Sequence, residues 1–241
     1  MRTKQIKNKQ FELSHSVTEG GDSNLIIHCH NVYEILYFVR GDVRYIIEGA
    51  EYMPKANSLL LIPQGVLHGV SQCGEGSYQR SVLSIPRYAF GNEGQRLIDK
   101  VFRGRLYYEK TDGYGIDTAF EDIYNTKDLG EYAQSIAAQA LLLRILYMKN
   151  SESEEKPNVV PSDTISNIIA YLNDNFTSPI TLDGISSMFY ISKHHLNKLF
   201  RKATGVTVGE YVIYKRVFYA RSLILKGVPA VEASVNAGFS D

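Results

Sequence analysis

The chain of 241 residues has only two cysteines, seven prolines and no tryptophan, and its 26 lysines plus arginines are matched by 26 aspartates plus glutamates. Cys29 and Cys73 offer no disulfide framework and suit a reducing compartment. A net charge of zero gives the chain as a whole no field that would gather polyanions or seek a membrane surface. Long hydrophobic runs are missing as well. Tyr33 to Val39 is short and Ala133 to Met148 is interrupted by Gln139 and Arg144, whereas a bilayer span needs roughly 20 apolar residues. The start, Met1 to Gln10, is polar and basic without the apolar centre of a secretory signal, so a cytoplasmic protein with no membrane partner is expected. What is present is ordinary for a folded chain: 44% hydrophobic and 22% charged residues, in a length that suits two domains.

The pattern changes twice along the chain. From about Phe11 to Pro86, short apolar or alternating runs (Leu25 to Cys29, Tyr33 to Val39, Val43 to Glu48, Ser58 to Ile62, Tyr78 to Ile85) alternate with Gly-, Pro- and Asp-bearing turns, which predicts a β-barrel or sandwich. From Asn92 the spacing turns helical. It culminates in Leu129 to Met148, whose wide apolar face (Ile136, Leu143, Tyr147, with Ala133, Ala137 and Leu141 beside them) either packs on the β domain or pairs with a second subunit as a short coiled coil. Lys149 to Asp163 is polar, acidic and broken by Pro157 and Pro161, a linker composition. Beyond it only helical periods occur. The eight basic residues of this last part all lie between 190 and 226, where Glu210 is the sole acid, a local footprint suited to phosphates.

In the first part, His28, His30 and Glu34 share parity, so an extended chain projects all three to one face, and His68 follows a later strand. Three imidazoles and a carboxylate are competent ligands for a divalent transition metal, and equally serve as hydrogen-bonding groups at the mouth of a ligand pocket. His28-x-His30-x-x-x-Glu34 with Gly41, and Pro63-x-Gly65-x-x-His68, resemble the paired motifs of the cupins. Asn57 stands where the second motif usually opens with glycine, and Gln72 where it usually closes with asparagine. Twelve of the 17 tyrosines, Tyr37 among them, lie in residues 1–149 and suit contacts to a sugar. The effector pocket is accordingly expected at His28, His30, Glu34, Tyr37 and His68. No cofactor is required by this reading, and a divalent metal on His28, His30, Glu34 and His68 is the alternative occupant.

In the last part, Thr181 and Ser192 stand as N-caps of two short helices separated by the break Tyr190-Ile191, with Gly205 closing the second. Leu182, Ile185, Phe189, Ile191, Leu196, Leu199 and Phe200 are spaced to bury, which leaves a basic outer face: a helix-turn-helix. On the second helix His194, Asn197 and Lys198 are the expected base readers, and Ser192, Lys193, Arg201 and Lys202 the expected phosphate contacts. The run Ser192-x-x-His195-Leu196-x-x-x-Phe200-Arg201-Lys202, then Gly205, Tyr211, Arg216, Ala220, Leu223 and Ala237-Gly238-Phe239-Ser240-Asp241, resembles the AraC/XylS class of bacterial transcription regulators. The family pattern continues past Asp241 into a second recognition helix. A second motif cut short, weaker and more salt-sensitive DNA binding, and a poorly ordered stretch from Val228 to Asp241 are therefore expected.

These observations together predict an α+β two-domain chain. Residues 1–149 form a cupin-like β-barrel followed by helices, 150–162 a linker, and 163–241 an all-α helix-turn-helix domain. The resemblance implies a sequence-specific regulator of transcription that is not an enzyme. Its expected partners are double-stranded DNA, a small-molecule effector (a sugar or sugar derivative), a second copy of the chain and RNA polymerase. The rivals are a metal-dependent cupin enzyme, such as an isomerase or dioxygenase, and a shortened regulator that interferes with a complete relative.

Overall fold

The computed structural model describes residues 2–20, 25–151 and 163–239. The first half is two antiparallel sheets. A six-stranded sheet runs in the order β1 (Arg2–Lys7), β2 (Glu12–Thr18), β9 (Tyr78–Pro86), β4 (Val32–Arg40), β7 (Ser58–Ile62), β10 (Tyr107–Tyr108). A four-stranded sheet runs β3 (Ile26–His28), β8 (His68–Gln72), β5 (Val43–Ile47), β6 (Ala50–Tyr52). Strand alternation sorts the residues of β4. Leu36 and Phe38 face the four-stranded sheet and form a core with Val43, Tyr45, Ile47, Leu60 and Ile62, which fills the space between the sheets. Ile35 and Tyr37 face the other way, into a larger core with Leu13, Leu59, Leu61 and Leu83 beneath three helices. All five residues of β7 are buried because both of its faces are covered.

Those helices are α1 (Gly91–Val101), α2 (Ile116–Asn125) and α3 (Glu131–Ser151). The expectation that α3 packs on the β domain is met: Ala138, Leu141, Leu142, Ile145 and Met148 are fully buried on that side, while Tyr132, Ile136, Leu143 and Tyr147 are exposed on the other. The helix runs through Asn150 and Ser151, two residues into the expected linker, and residues 152–162 of that linker lie outside the described residues.

The last part is all helical: α4 (Asp163–Asn175), α5 (Leu182–Met188), α6 (Lys193–Thr204), α7 (Val208–Ile224) and α8 (Ala230–Asn236). Its core joins Ile165, Ile168, Leu172, Ile185, Leu196, Phe200 and Tyr211. The expectation of a poorly ordered stretch from Val228 is overturned for the described residues up to Phe239. Ala233 and Ala237 are fully buried, and Gly238 turns at φ 87 so closely over Thr177 that a Cβ would lie 2.3 Å from its carbonyl oxygen. Ser240 and Asp241 lie outside the described residues.

Candidate functional site

The helix-turn-helix forms where the caps required it. The Gly184 amide donates to the Thr181 hydroxyl (3.0 Å) at the start of α5, and the His195 amide to the Ser192 hydroxyl (3.3 Å) at the start of α6. The break between the two helices is made by Tyr190 at φ 53, whose ring is thrown into solvent, and is locked by the Ile191 amide donating to the Ser186 carbonyl (3.0 Å). Leu196 and Phe200 turn fully inward. The outer face of α6 therefore presents Ser192, Lys193, His194, Lys198, Arg201 and Lys202, all exposed. Asn197 departs from this set. It is half-buried and its Oδ1 is screened from solvent without a hydrogen bond, so it sits at the flank of the basic face.

The basic footprint is smaller than the sequence count, because charges are consumed by partners distant in sequence. Lys193 pairs with Asp183 (2.7 Å), Lys215 pairs with Glu48 (3.0 Å), and the Arg216 guanidinium donates to the carbonyls of Phe176 (2.6 Å) and Ser178 (2.8 Å). Lys198, Arg201 and Lys202 remain exposed on the recognition helix.

At the mouth of the β domain the strands bring His28, His30 and His68 together, with one ligand atom from each within 4.8 Å of the others. His28 and His68 are directly opposed across the β3–β8 pair, with ring centroids 4.4 Å apart. Nδ1 of His30 donates to the Val32 carbonyl (3.2 Å) and Nδ1 of His68 to the Val66 carbonyl (2.8 Å). Both Nε2 atoms are thereby turned toward Glu34, 3.1 and 3.5 Å from its oxygens, yet each is buried and makes no aligned hydrogen bond. Burial would push the Glu34 carboxyl up, but the two imidazoles hold it well below the usual carboxylate range; burial would likewise lower the His30 imidazole, and the Glu34 carboxylate raises it instead. Two Nε2 atoms facing a carboxylate call for a positive charge between them, either a proton or a divalent cation. Tautomers fixed by backbone carbonyls, with orphaned Nε2 atoms converging, fit such a cation on His28, His30 and His68, with Glu34 alongside.

Two features of the cupin-like pattern find their reasons here. Asn57 adopts φ 64, a conformation that glycine or asparagine tolerates, so the replacement preserves the turn. Buried Gln72 uses its side-chain amide to donate to the Gly76 carbonyl (2.5 Å), closing the turn after β8. One expected pocket residue is corrected. Tyr37 does not join the histidines: it has odd parity on β4 where Glu34 is even, points to the opposite face of the sheet, and donates its phenol to Asn57 Oδ1 (2.9 Å).

The alternation that turns His28 and His30 to the cluster turns Ile27 and Cys29 the other way, onto the C-terminal core, and Leu67, preceding His68, is buried in that same core. Gly205, at φ 78 after α6, has Ile27 so close that a Cβ would lie 2.1 Å from it, so glycine is needed for the turn and for the approach alike. The contact is finished by Glu48. It accepts from Lys215 Nζ (3.0 Å), the Tyr211 hydroxyl (3.3 Å) and the Asn173 side-chain amide (3.4 Å). Burial and the Glu48 charge push the Tyr211 phenol far up. Sequence reasoning passed over Glu48; its one signal was a charged residue before Gly49 in a two-residue turn, a place that prefers Asn, Asp or Gly.

Residues 19–102 match the model of an AraC-like ligand binding domain. An uncharacterised HTH-type transcriptional regulator of Escherichia coli, YdiP, is 25% identical over 225 residues, covering 89% of this chain and 73% of that protein. The lactose operon transcription activator of Staphylococcus xylosus is 26% identical over 225 residues, covering 86% of this chain and 76% of that protein. A crystal structure of ToxT from Vibrio cholerae aligns with 97% of this chain and 90% of its own at 14% identity and a TM-score of 0.45.

Proposed function

We infer the function from the premise that the chain belongs to the AraC family of helix-turn-helix transcription regulators: it reads double-stranded DNA through α6 and answers to a small molecule held by its N-terminal sensor domain. The observation that carries this is the shared wall. The strand and loop that present His28 and His68 to a ligand bury Ile27, Cys29 and Leu67 in the DNA-reading domain. A ligand drawing the histidines together bears on that contact, which is the differential interaction that effector control requires. A sugar or sugar derivative is the effector class favoured by the likeness to a lactose operon activator and by the tyrosines of the sensor. The relatives being regulators, the rival of a metal-dependent enzyme is set aside. A second occupant, a divalent cation on the three imidazoles, is supported by their convergence and by the Nε2 atoms of His30 and His68, which lack hydrogen bonds. Among the described residues no helix is long and apolar enough to cross a membrane, and two free thiols accord with a cytoplasmic protein.

The chain works as a homodimer in this proposal. Tyr132, Ile136, Leu143 and Tyr147 recur at steps of four, seven and four along the exposed side of α3, the spacing of a two-helix seam, and a second copy brings the same stripe in antiparallel or parallel register. Replacing Ile136 and Leu143 together by glutamate is expected to yield a monomer by light scattering with the fold intact; a dimer of unchanged stability would place the interface elsewhere.

DNA binding is tested with duplexes from upstream of the chain's own gene across a salt series. Arg201→Ala and Lys202→Ala should each weaken binding to all sequences alike and lower the salt slope by about 1, whereas His194→Ala should cost about 1–3 kcal/mol on the target alone. Binding that none of the three alters would sink the assignment of α6 as the reading helix.

A further inference from the structure

A second cavity, of about 370 Å³, opens on the other face of the six-stranded sheet from the histidine cluster. Its floor is one cross-strand row. Lys4 stands opposite His15, His15 opposite Ser81, and Ser81 opposite Tyr37. Two residues along on the same face, the row Leu13, Leu83, Ile35, Leu61 is fully buried under the helices. A sheet face that served only to pack helices would continue apolar; this one turns polar within a single pleat repeat, and α2 meets it through Phe120, whose ring stacks on Tyr37 at 5.8 Å at the end of the row. The roof is also one face, since Asp117, Phe120, Glu121 and Tyr124 recur at i, i+3, i+4 and i+7 of α2.

The floor is built to offer hydrogen bonds. The Gln79 side-chain amide donates to His15 Nε2 (2.9 Å), which fixes the other ring proton on Nδ1, and Nδ1 donates to the Ser81 hydroxyl (2.8 Å). Ser81 thus keeps its own proton to donate. Burial, reinforced by Lys4, lowers the His15 pKa and keeps the ring neutral. The roof supplies the charge. Lys4 lies over the Tyr124 ring at 4.1 Å, at the rim, and against this one cation stand two carboxylates, Asp117 and Glu121. Their field is felt at the floor: the Tyr37 phenol is pushed up to about 12, by burial first and then by Asp117, Asp112 and Glu121.

We propose that this cavity is a binding site for a small cationic, hydroxyl-bearing molecule of monosaccharide size, such as an amino sugar, with its ammonium between Asp117 and Glu121, its hydroxyls on Ser81 and the His15–Gln79 pair, and its apolar face on Phe120. The volume lies at the small end of ligand pockets, and the mixture of an aromatic wall with a few convergent polar groups is their usual make-up. The site is separate from the histidine cluster and does not depend on how DNA is read. Phe120 shares its core with Leu141 and Leu142 of α3, so an occupant is joined through α2 to the helix that carries the exposed stripe.

The experiment is calorimetric titration of the full chain with glucosamine, and in parallel with glucose and glucuronate, which keep the ring and replace the ammonium by a hydroxyl or add a carboxylate. Saturable binding of glucosamine is expected, at least tenfold tighter than that of glucose and with none for glucuronate. Asp117→Asn with Glu121→Gln, two exposed positions, should remove the preference for glucosamine over glucose, and Ser81→Ala should weaken both sugars. No saturable heat with glucosamine up to about 10 mM, where even a Kd of 1 mM would be seen, overturns the proposal. So does a preference for glucosamine that survives the carboxylate variants. The melting curve of each variant, run beside the titration, separates lost binding from lost folding.

Discussion

Phe200→Ala is expected to unfold the DNA-reading domain while the sensor stays folded. The Phe200 ring is fully buried and meets the Tyr211 ring edge-on at 5.5 Å between centroids, with Leu196, Ile165 and Ile168 in the same core. Truncating a buried phenylalanine costs about 3–5 kcal/mol, transfer and cavity terms together. A domain of this size holds a total stability of roughly 5–15 kcal/mol, so most of the margin goes. Thermal melts followed by circular dichroism should show a helical transition moved to much lower temperature, with the β-rich transition kept and DNA binding lost. A change below about 1 kcal/mol would mean that the C-terminal helices close over the hole, and that the core described here is not what holds them.

Glu48→Ala is expected to undock the two domains. Three donors from two helices converge on this one carboxylate, and side-chain exposures of 25% for Glu48 and 20% for Lys215 keep the ion pair largely out of water. Its removal leaves a cation and an amide without their acceptor, while the Tyr211 phenol keeps Asn173 Oδ1 (3.0 Å), at a cost of about 2–4 kcal/mol to the docked arrangement. That corresponds to a shift of about 30-fold or more in the docking equilibrium. Glu48→Asn gives the sharper test. Glu48 sits at φ 46 and Gly49 at φ 79, a turn with both central residues left-handed, where asparagine is more comfortable than glutamate. The asparagine variant should therefore tighten the hairpin and still release the domain, so that the radius of gyration by X-ray scattering rises while the sensor's melting temperature holds or increases. An unchanged radius in both variants would show that Ile27, Cys29 and Leu67 alone hold the contact. A residue that breaks a local rule is often kept for a distant purpose, and here the purpose is visible in its three partners.

Much of the C-terminal domain was legible because its signals are local. Thr181, Ser192 and Gly205 cap helices by bonds to residues two to four positions away, and Leu196 and Phe200 turn inward by helical period alone. The strands were legible where apolar residues dominate and missed where polar ones do. β1 reads Arg-Thr-Lys-Gln-Ile-Lys and β2 carries Ser, His and Ser, because one face of each is polar or lines the cavity under α2. β8 was hidden by Gly69 and by its histidine. Parity would have placed Tyr37 correctly had it been applied to the whole of β4 as it was to His28 and His30.

The sequence by itself determined the order of a β domain and a helical domain, the caps and buried stripe of the helix-turn-helix, and the shared parity of His28, His30 and Glu34, since each follows from periods of two or 3.6 residues and from short-range capping bonds. Only the tertiary structure decided which segments distant in sequence meet. It set Glu48 against Lys215, Tyr211 and Asn173, placed Ile27 against Gly205, and laid the face of α2 over the row from Lys4 to Tyr37. Such contacts are chosen by which surfaces remain to be covered once the local elements have formed, and no pattern within one element records its partner.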